Sequence, residues 1–361
     1  MHKVRVNLKN VGYDIIIEKD FSGTLRDFLV TKRFSSKVLI ISDIHVADLY
    51  GGEVLQCVEF AGMQGEIFAV EAGESAKSLT VAEKLYTKAI SLGLDRNSLV
   101  IALGGGVVGD LAGFIAATFL RGVPFIQIPT SLLAQVDSSV GGKVAINHQL
   151  GKNLIGAFYQ PKIVVISLDT LATLPPREIY TGLAEVIKYG IICDKEFFDY
   201  LATSADKILQ LDRVAMQKII SRSCEIKAAV VSEDEKETGR RIILNFGHTI
   251  AHAIENATGY TRYNHGEAVA IGMYGAALLS YYSKFITKET VEQIKDIIEK
   301  FNLPIKAQDC TAEQLFDLLL RDKKVISGKV QWVLLKDIGE VFVNKDVEEA
   351  LVQLVLNEIT A

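Results

Sequence analysis

The sequence predicts an α/β protein, with a mostly parallel sheet in its N-terminal half and a mostly helical C-terminal half. Two observations predict it. Up to residue 174, runs rich in β-branched residues end in turn residues and alternate with helical patterns. From Pro175 the texture changes to long amphipathic segments broken by Gly or Pro. A chain of 361 residues is expected to hold two domains, since one usually runs ~100–200 residues. The change of texture places them at 1–174 and 175–361.

In chain order, the strands are read at Lys37–Ser42, Glu66–Val70, Ser98–Leu103, Pro124–Pro129 and Lys162–Ser167. Their alternation with helical patterns gives βαβ units, and these build parallel sheets. After Pro175 and Pro176, helices are read at Arg177–Tyr189, Arg213–Val231, Arg241–Asn256 and Glu267–Lys284. Val330–Leu335 and Glu340–Val343 form a short strand pair joined by Lys336–Gly339, followed by a last helix over Val347–Ile359. No internal repeat is visible.

The composition narrows the function. A net charge of −5, from 39 basic and 44 acidic residues, with no long single-sign run, argues against a nucleic-acid or membrane surface. An anionic ligand must then be met by a local basic cluster. Cys57, Cys193, Cys224 and Cys310 are far apart and form no CxxC pair, so reduced thiols are expected rather than disulfides or a thiolate zinc knuckle. Met1–Asn10 has no apolar leader core, and Leu111–Leu120, flanked by Asp110 and Arg121, is well short of a membrane span. A soluble cytoplasmic protein is expected.

Gly104–Asp110 reads GGGVVGD, so Gly104, Gly106 and Gly109 fit GxGxxG directly after the strand Leu99–Leu103 and at the head of a helix. There, backbone amides and a helix N-terminus can hold a pyrophosphate. Tight strand-to-helix turns also need glycine for steric reasons alone. The next strand ends Gln127-Ile128-Pro129-Thr130, without the acidic residue that usually takes the ribose. Asp43, at the end of Lys37–Ser42, is placed to supply it, or else to cap the segment that follows.

Three of the six histidines, His248, His252 and His265, fall within eighteen residues, beside Asn245, Glu255 and Glu267. This clustering favours a metal or proton-transfer site. The i, i+4 spacing of His248 and His252 puts them on one helix face, as a ligand pair or as core histidines. A catalytic divalent metal usually takes three protein ligands, so a carboxylate is needed. Glu185, in the largely apolar segment Leu183–Tyr189, is a candidate, and an ion pair with Lys188 is the alternative. Basic residues group beside these motifs: Arg121, Lys143, Lys152, Lys188, Lys227, Arg240, Arg241, Lys323 and Lys324. Lys143 follows Gly141-Gly142, and Lys152-Asn153 follows Gly151, where the backbone can approach a ligand closely, so these two lysines suit a phosphate.

Six motifs then match a family in order: GGGVVGDLAGFIAATFLRG from Gly104, PTSLLAQVDSSVGGK from Pro129, LGKNLIGAFYQP from Leu150, GLAEVIKYG from Gly182, NFGHTIAHAIE from Asn245 and HGEAVAIGM from His265. Together they resemble 3-dehydroquinate synthase, of the sugar phosphate cyclases, from Asp43 to Lys324. The resemblance implies a Rossmann-like NAD domain, a helical metal- and substrate-binding domain and an active site in the cleft between them. It makes the metal ligands Glu185, His248 and His265, for zinc or cobalt, and moves His252 to the substrate side. It assigns NAD to Asp43, Glu74, Lys77, Gly105, Gly106, Val107, Val108, Gly109, Asp110, Thr130, Ser131, Lys143, Lys152, Thr170, Leu171, Ala172 and Thr173. The family commonly has Thr where this chain has Ser131, which keeps the hydroxyl.

By the same resemblance, Asp137, Lys143, Asn153, Lys188, Lys227, Arg241, Asn245, His252 and one of Lys323 or Lys324 line the substrate pocket. Arg121 reaches it from the partner in a homodimer. Arg241 and Lys227 suit a carboxylate, and Lys152, Asn153 and Arg121 a phosphate. The implied reaction converts 3-deoxy-D-arabino-heptulosonate 7-phosphate, an acidic sugar phosphate, to 3-dehydroquinate. It runs through transient oxidation by NAD, phosphate elimination, reduction and an intramolecular aldol closure, and it serves aromatic amino acid biosynthesis. Rival readings are a cyclase acting on a neutral sugar phosphate, against which Lys227 and Arg241 argue, a metal-dependent alcohol dehydrogenase of the glycerol dehydrogenase type, and a non-catalytic binding protein.

Overall fold

A computed structural model describes residues 1–8, 12–32, 34–321, 325–326 and 329–360. By its contacts the chain forms two compact units: Met1–Leu174 with Met216–Lys236, and Pro175–Ala215 with Glu237–Ala361.

The first unit runs β1 (His2–Asn7), β2 (Gly12–Glu18), α1 (Ser22–Thr31), β3 (Lys37–Asp43), the turn α2 (Ile44–Val46), α3 (Gly52–Phe60), β4 (Gln64–Val70), α4 (Leu79–Ser91), β5 (Leu99–Gly104), α5 (Gly106–Thr118), β6 (Phe125–Pro129), β7 (Lys143–His148), β8 (Gly151–Phe158) and β9 (Ile163–Ser167). Seven strands form one sheet in the order β1-β2-β9-β6-β5-β3-β4, all parallel except the edge pair β1 and β2. Both faces are covered, which is why the central strands read as unbroken apolar runs. Leu39 and Ile41 pack into the core on one face with α4 and α5, while Val38 and Ile40 pack into the other with α1 and α3.

The reading over residues 1–174 missed β1 and β2. β1 buries only Val4 and Val6, alternating with polar residues, so it shows no apolar run. It also missed the antiparallel hairpin β7–β8, whose glycines looked like loop.

The second unit runs α6 (Pro176–Cys193), α7 (Lys195–Leu209), the start of α8 (Arg213–Glu233), α9 (His248–Ala257), α10 (His265–Tyr282), α11 (Lys288–Lys300), α12 (Ala312–Arg321), β10 (Val325–Ile326), β11 (Lys329–Val330), β12 (Trp332–Asp337), β13 (Glu340–Asn344) and α13 (Glu349–Thr360). At its centre is α10, buried almost throughout and in contact with α6, α9, α11, α13 and β12. An all-round apolar helix belongs in that position. The expected helix Arg241–Asn256 is instead a 3₁₀ segment over Arg240–Asn245, a break, and then α9. Gly247, at φ +78°, makes the break.

A single division at 174/175 does not describe Met216–Lys236. This stretch of α8 and beyond is tied to the first unit by Cys224 Sγ donating to the Gln135 carbonyl at 3.3 Å, the Asn7 amide donating to Ser232 Oγ at 3.2 Å and Gln160 Nε2 donating to Glu235 Oε1 at 3.0 Å.

Candidate active site

In the second unit, three helices bring Glu185, His248 and His265 together, with one ligand atom from each lying within 4.8 Å of the others. Glu185 sits mid-way along α6 and is fully buried. Lys188, one turn on, donates to its Oε2. The other oxygen, Oε1, makes no hydrogen bond. It faces His248 Nε2 at 3.4 Å and His265 Nε2 at 3.6 Å. The ion pair with Lys188 and a ligand role, alternatives in sequence, are compatible in this geometry because the carboxylate has two oxygens.

Each imidazole is held by its other nitrogen. His248 Nδ1 lies 3.1 Å from the Phe246 carbonyl, and His265 Nδ1 lies 3.1 Å from Glu255 Oε1. In the neutral rings that a metal requires, a proton kept at Nδ1 leaves each Nε2 lone pair on the side of Glu185. One carboxylate oxygen and two imidazole nitrogens are the donor set of a catalytic divalent ion with an open position, so zinc or cobalt fits these residues. Without a metal, burial would lower the His265 pKa, but Glu185 and Glu255 outweigh it and push it up to about 10, so binding a metal means displacing the proton at Nε2.

The ligand-bearing helices meet at their backbones. A Cβ on Gly266 would collide with the backbone of Thr181 on α6, and one on Gly272 would collide with the carbonyl of Gly247 at the head of α9. Beside His265, the first turn of α6 grips the start of α10. Arg177 donates to both oxygens of Glu267 at 2.7 Å, and Asn264 Nδ2 donates to Glu178 Oε1 at 3.0 Å. Glu267 also closes a capping box on the Asn264 amide.

The strand-to-helix turn after β5 dominates the first unit. Gly105 is the N-cap of α5 and offers no side-chain cap, so the first amides of the helix keep their hydrogen-bonding capacity. Ser131 Oγ lies over Gly105, while a Cβ on Gly106 would be crowded by Ser138 and one on Gly109 by Gln127. Val107 is half-buried and Val108 buried in the core behind the turn. An uncapped helix N-terminus in a glycine cradle fits the pyrophosphate of NAD. Thr130 is buried and donates its amide to the Gly104 carbonyl at 3.0 Å. Asp43 caps α2, its Oδ1 accepting from His45 and Val46 at 3.0 Å.

Lys77 is a buried hub. Its ammonium donates to Asp110 Oδ2 at 2.7 Å and Asn153 Oδ1 at 2.6 Å, and lies 3.5 Å from Glu74. Burial pushes the Asp110 carboxyl up, against the pull of Lys77. Lys143 opens β7, and Lys152 and Asn153 lie on β8. Lys227, buried on α8, donates to both the carbonyl and the Oδ1 of Asp137 at 2.7 Å. Among Thr170–Thr173, Thr170 and Leu171 are buried, Thr170 Oγ1 accepts from Gln135 Nε2 at 3.1 Å, and Thr173 Oγ1 pairs with Tyr50 at 2.7 Å.

His252 lies one turn beyond His248 with its ring 5.9 Å away, but it is not in the ligand cluster. The helix-face pairing of these two histidines therefore gives way to His248 with His265. Asn245 donates to Glu237 Oε1 at 2.8 Å, and Arg241 is buried. Arg121 is exposed, with φ +67° between Leu120 at +49° and Gly122 at +122°. Lys323 and Lys324 lie outside the described residues. Sequence reasoning missed Glu255 and Gln135 as site-builders. Glu255 sits two turns after His248, a spacing that puts both on one helix face. Gln135 Nε2 donates to Pro129, Ser167 and Thr170, stitching β6 to β9, and nothing local announces it.

Comparison with known proteins places this geometry. Residues 67–181 match the 3-dehydroquinate synthase N-terminal family and residues 182–325 the 3-dehydroquinate synthase C-terminal family. A 3-dehydroquinate synthase of Desulforamulus reducens is 48% identical over 99% of this chain and 100% of its own length. One from Thermodesulfovibrio yellowstonii is 46% identical over 99% and 100%.

Among solved structures, the 2-epi-5-epi-valiolone synthase of Streptomyces hygroscopicus subsp. jinggangensis, with NAD and zinc bound, is similar at a TM-score of 0.89 and 26% identity, covering 98% of both chains. A 2-deoxy-scyllo-inosose synthase complexed with carbaglucose-6-phosphate, NAD and cobalt is similar at 0.87 and 26%, covering 99% of this chain and 100% of that one. A probable glycerol dehydrogenase from Sinorhizobium meliloti shares the fold alone, at 0.68 and 15%, over 96% of each chain. With family profiles spanning most of its length and relatives nearly half identical from end to end, the chain belongs to the 3-dehydroquinate synthase family.

Proposed function

We propose that this chain converts 3-deoxy-D-arabino-heptulosonate 7-phosphate to 3-dehydroquinate and phosphate, using NAD held by residues of the first unit and zinc or cobalt held by the second. The observation that carries the reading is the buried Glu185 Oε1 facing two imidazole nitrogens. When bound, the metal supplies Lewis acidity at the substrate hydroxyls and NAD a reversible hydride acceptor.

The chain's own side chains bind and orient the substrate. Arg241 presents a bidentate fork suited to the carboxylate, and Lys227, held against Asp137, adds a second cation. Lys152, Asn153 and Arg121 take the phosphate, and Lys143 serves both cofactor and substrate. Lys188, Asn245, His252 and Asp137 hold or move protons around the reacting carbons, and one of Lys323 or Lys324 completes the pocket. Glu74, Lys77, Asp110, Thr130, Ser131 and residues 170–173 serve NAD with the glycine turn, and Asp43 takes its ribose.

The enzyme acts as a homodimer in which Arg121 is supplied to the neighbouring subunit, a role suited to an exposed residue on a left-handed turn. It works in the cytoplasm, where its four free cysteines stay reduced.

The test is to incubate metal-loaded protein and catalytic NAD with the heptulosonate phosphate while following inorganic phosphate, dehydroquinate and NADH absorbance. Phosphate and dehydroquinate in equal amounts with no net NADH is the expected result. NADH accumulating without phosphate would make it a dehydrogenase. Turnover of a neutral sugar phosphate instead would make it a cyclase of the valiolone or inosose kind.

A further inference from the structure

We infer that Glu255 is a positioning residue for the metal site, fixing the tautomer and aim of His265 from the same helix that delivers His248. The inference rests on Glu185, His248 and His265 being the ligands, and it adds what makes His265 competent. Its Nδ1 lies 3.1 Å from Glu255 Oε1, while its Nε2 is the nitrogen that faces Glu185. An imidazole has one proton when neutral, so a carboxylate accepting at Nδ1 leaves the lone pair at Nε2.

Glu255 is buried and belongs to α9, two turns beyond His248, on the same helix face. A buried carboxylate has to be compensated, and the ring of His265 contributes to this at 3.1 Å. His265 is the first residue of α10, where the chain enters from an exposed loop through Thr261 and Arg262. The ring meets Glu185 through Nε2 and lies edge-on to His248 at 5.2 Å, which leaves Nδ1 as the nitrogen whose partner sets its rotation. The hydrogen bond from Glu255 does so, and its negative charge makes Nε2 a better donor. His248 needs no carboxylate, because the Phe246 carbonyl does the equivalent work.

The test uses the full chain freed of metal, titrated with cobalt(II) alone and followed by its visible d–d absorption. Wild type, Glu255→Gln, Glu255→Ala and Glu185→Gln are compared, with NAD affinity and far-UV circular dichroism reporting on the fold. The expected result is a ~10–100-fold weaker cobalt affinity for both Glu255 variants, smaller for Gln, which still offers an oxygen acceptor. An altered d–d spectrum and unchanged NAD affinity should accompany it.

If Glu255→Ala does not fold, the isosteric Glu255→Gln decides alone. Wild-type affinity and spectrum in Glu255→Gln, with Glu185→Gln binding weakly, would overturn the role of Glu255 while leaving the ligands intact. Cobalt binding unaffected by Glu185→Gln would overturn the ligand assignment itself, and this inference with it.

Discussion

Lys188 holds one oxygen of Glu185 and leaves the other to the two imidazoles. Both side chains are almost wholly buried. Removing one member of such a pair strands a charge, so Lys188→Met should destabilise the metal-free protein by about 3–5 kcal/mol. Urea unfolding of the metal-free forms measures it, and a loss below about 1 kcal/mol would mean that the pair contributes little.

Asp43 joins two readings that a pair of substitutions separates. Its Oδ1 caps α2, a task that Asn performs equally well. Its charge is what a ribose diol would use. Asp43→Asn should therefore keep wild-type stability and lose about 1.5–3 kcal/mol of NAD affinity, the worth of a hydrogen bond to a charged group. Asp43→Ala should lose a comparable affinity and also about 1 kcal/mol of stability. NAD titration beside thermal unfolding tells them apart. Unchanged NAD affinity in Asp43→Asn would leave capping as its whole role.

Arg177 and Glu267 give an acid dependence. Burial raises the Glu267 carboxyl, but Arg177 and the Asn264 amide outweigh it and hold it below its ordinary value. A depressed folded pKa contributes stability that is fully present above the unfolded value and lost as pH falls through the folded one. The gap between wild type and Arg177→Ala should therefore be constant near neutral pH and close below about pH 4.5. Arg177 is about half exposed, so the gap should stay within about 1 kcal/mol. Denaturant midpoints at several pH values check this, and a gap that widens in acid would contradict it.

The legibility of the chain follows its physics. β3, β5, β6 and β9 were readable because a sheet covered on both faces makes its strands almost wholly apolar, with Gln127 the exception at the centre of β6. β8 was not, because its residues are mostly exposed and Gly156 backs directly onto the carbonyl of Val144. His248 and His252 looked paired because spacing reports one helix, whereas His265 and Glu185 come from two others and meet His248 only through tertiary packing. The cluster of Glu185, His248 and His265 was therefore legible from motif resemblance and not from local pattern. Glu255 carried a local signal, its two-turn offset from His248, but its partner lies on a different helix.

The allocation of Met216–Lys236 to the first unit has a consequence for synthesis. A ribosome that has released residues 1–174 has made every strand of the seven-stranded sheet, yet not the helix that receives Asp137, Gln135 and the amide of Asn7. At ~5–20 residues per second, the nascent sheet waits several seconds for that helix, while the first helices of the other unit emerge ahead of it. The two units are therefore not successive products of translation. A gene cut at residue 174 would yield a nucleotide-binding fragment lacking one of its own walls.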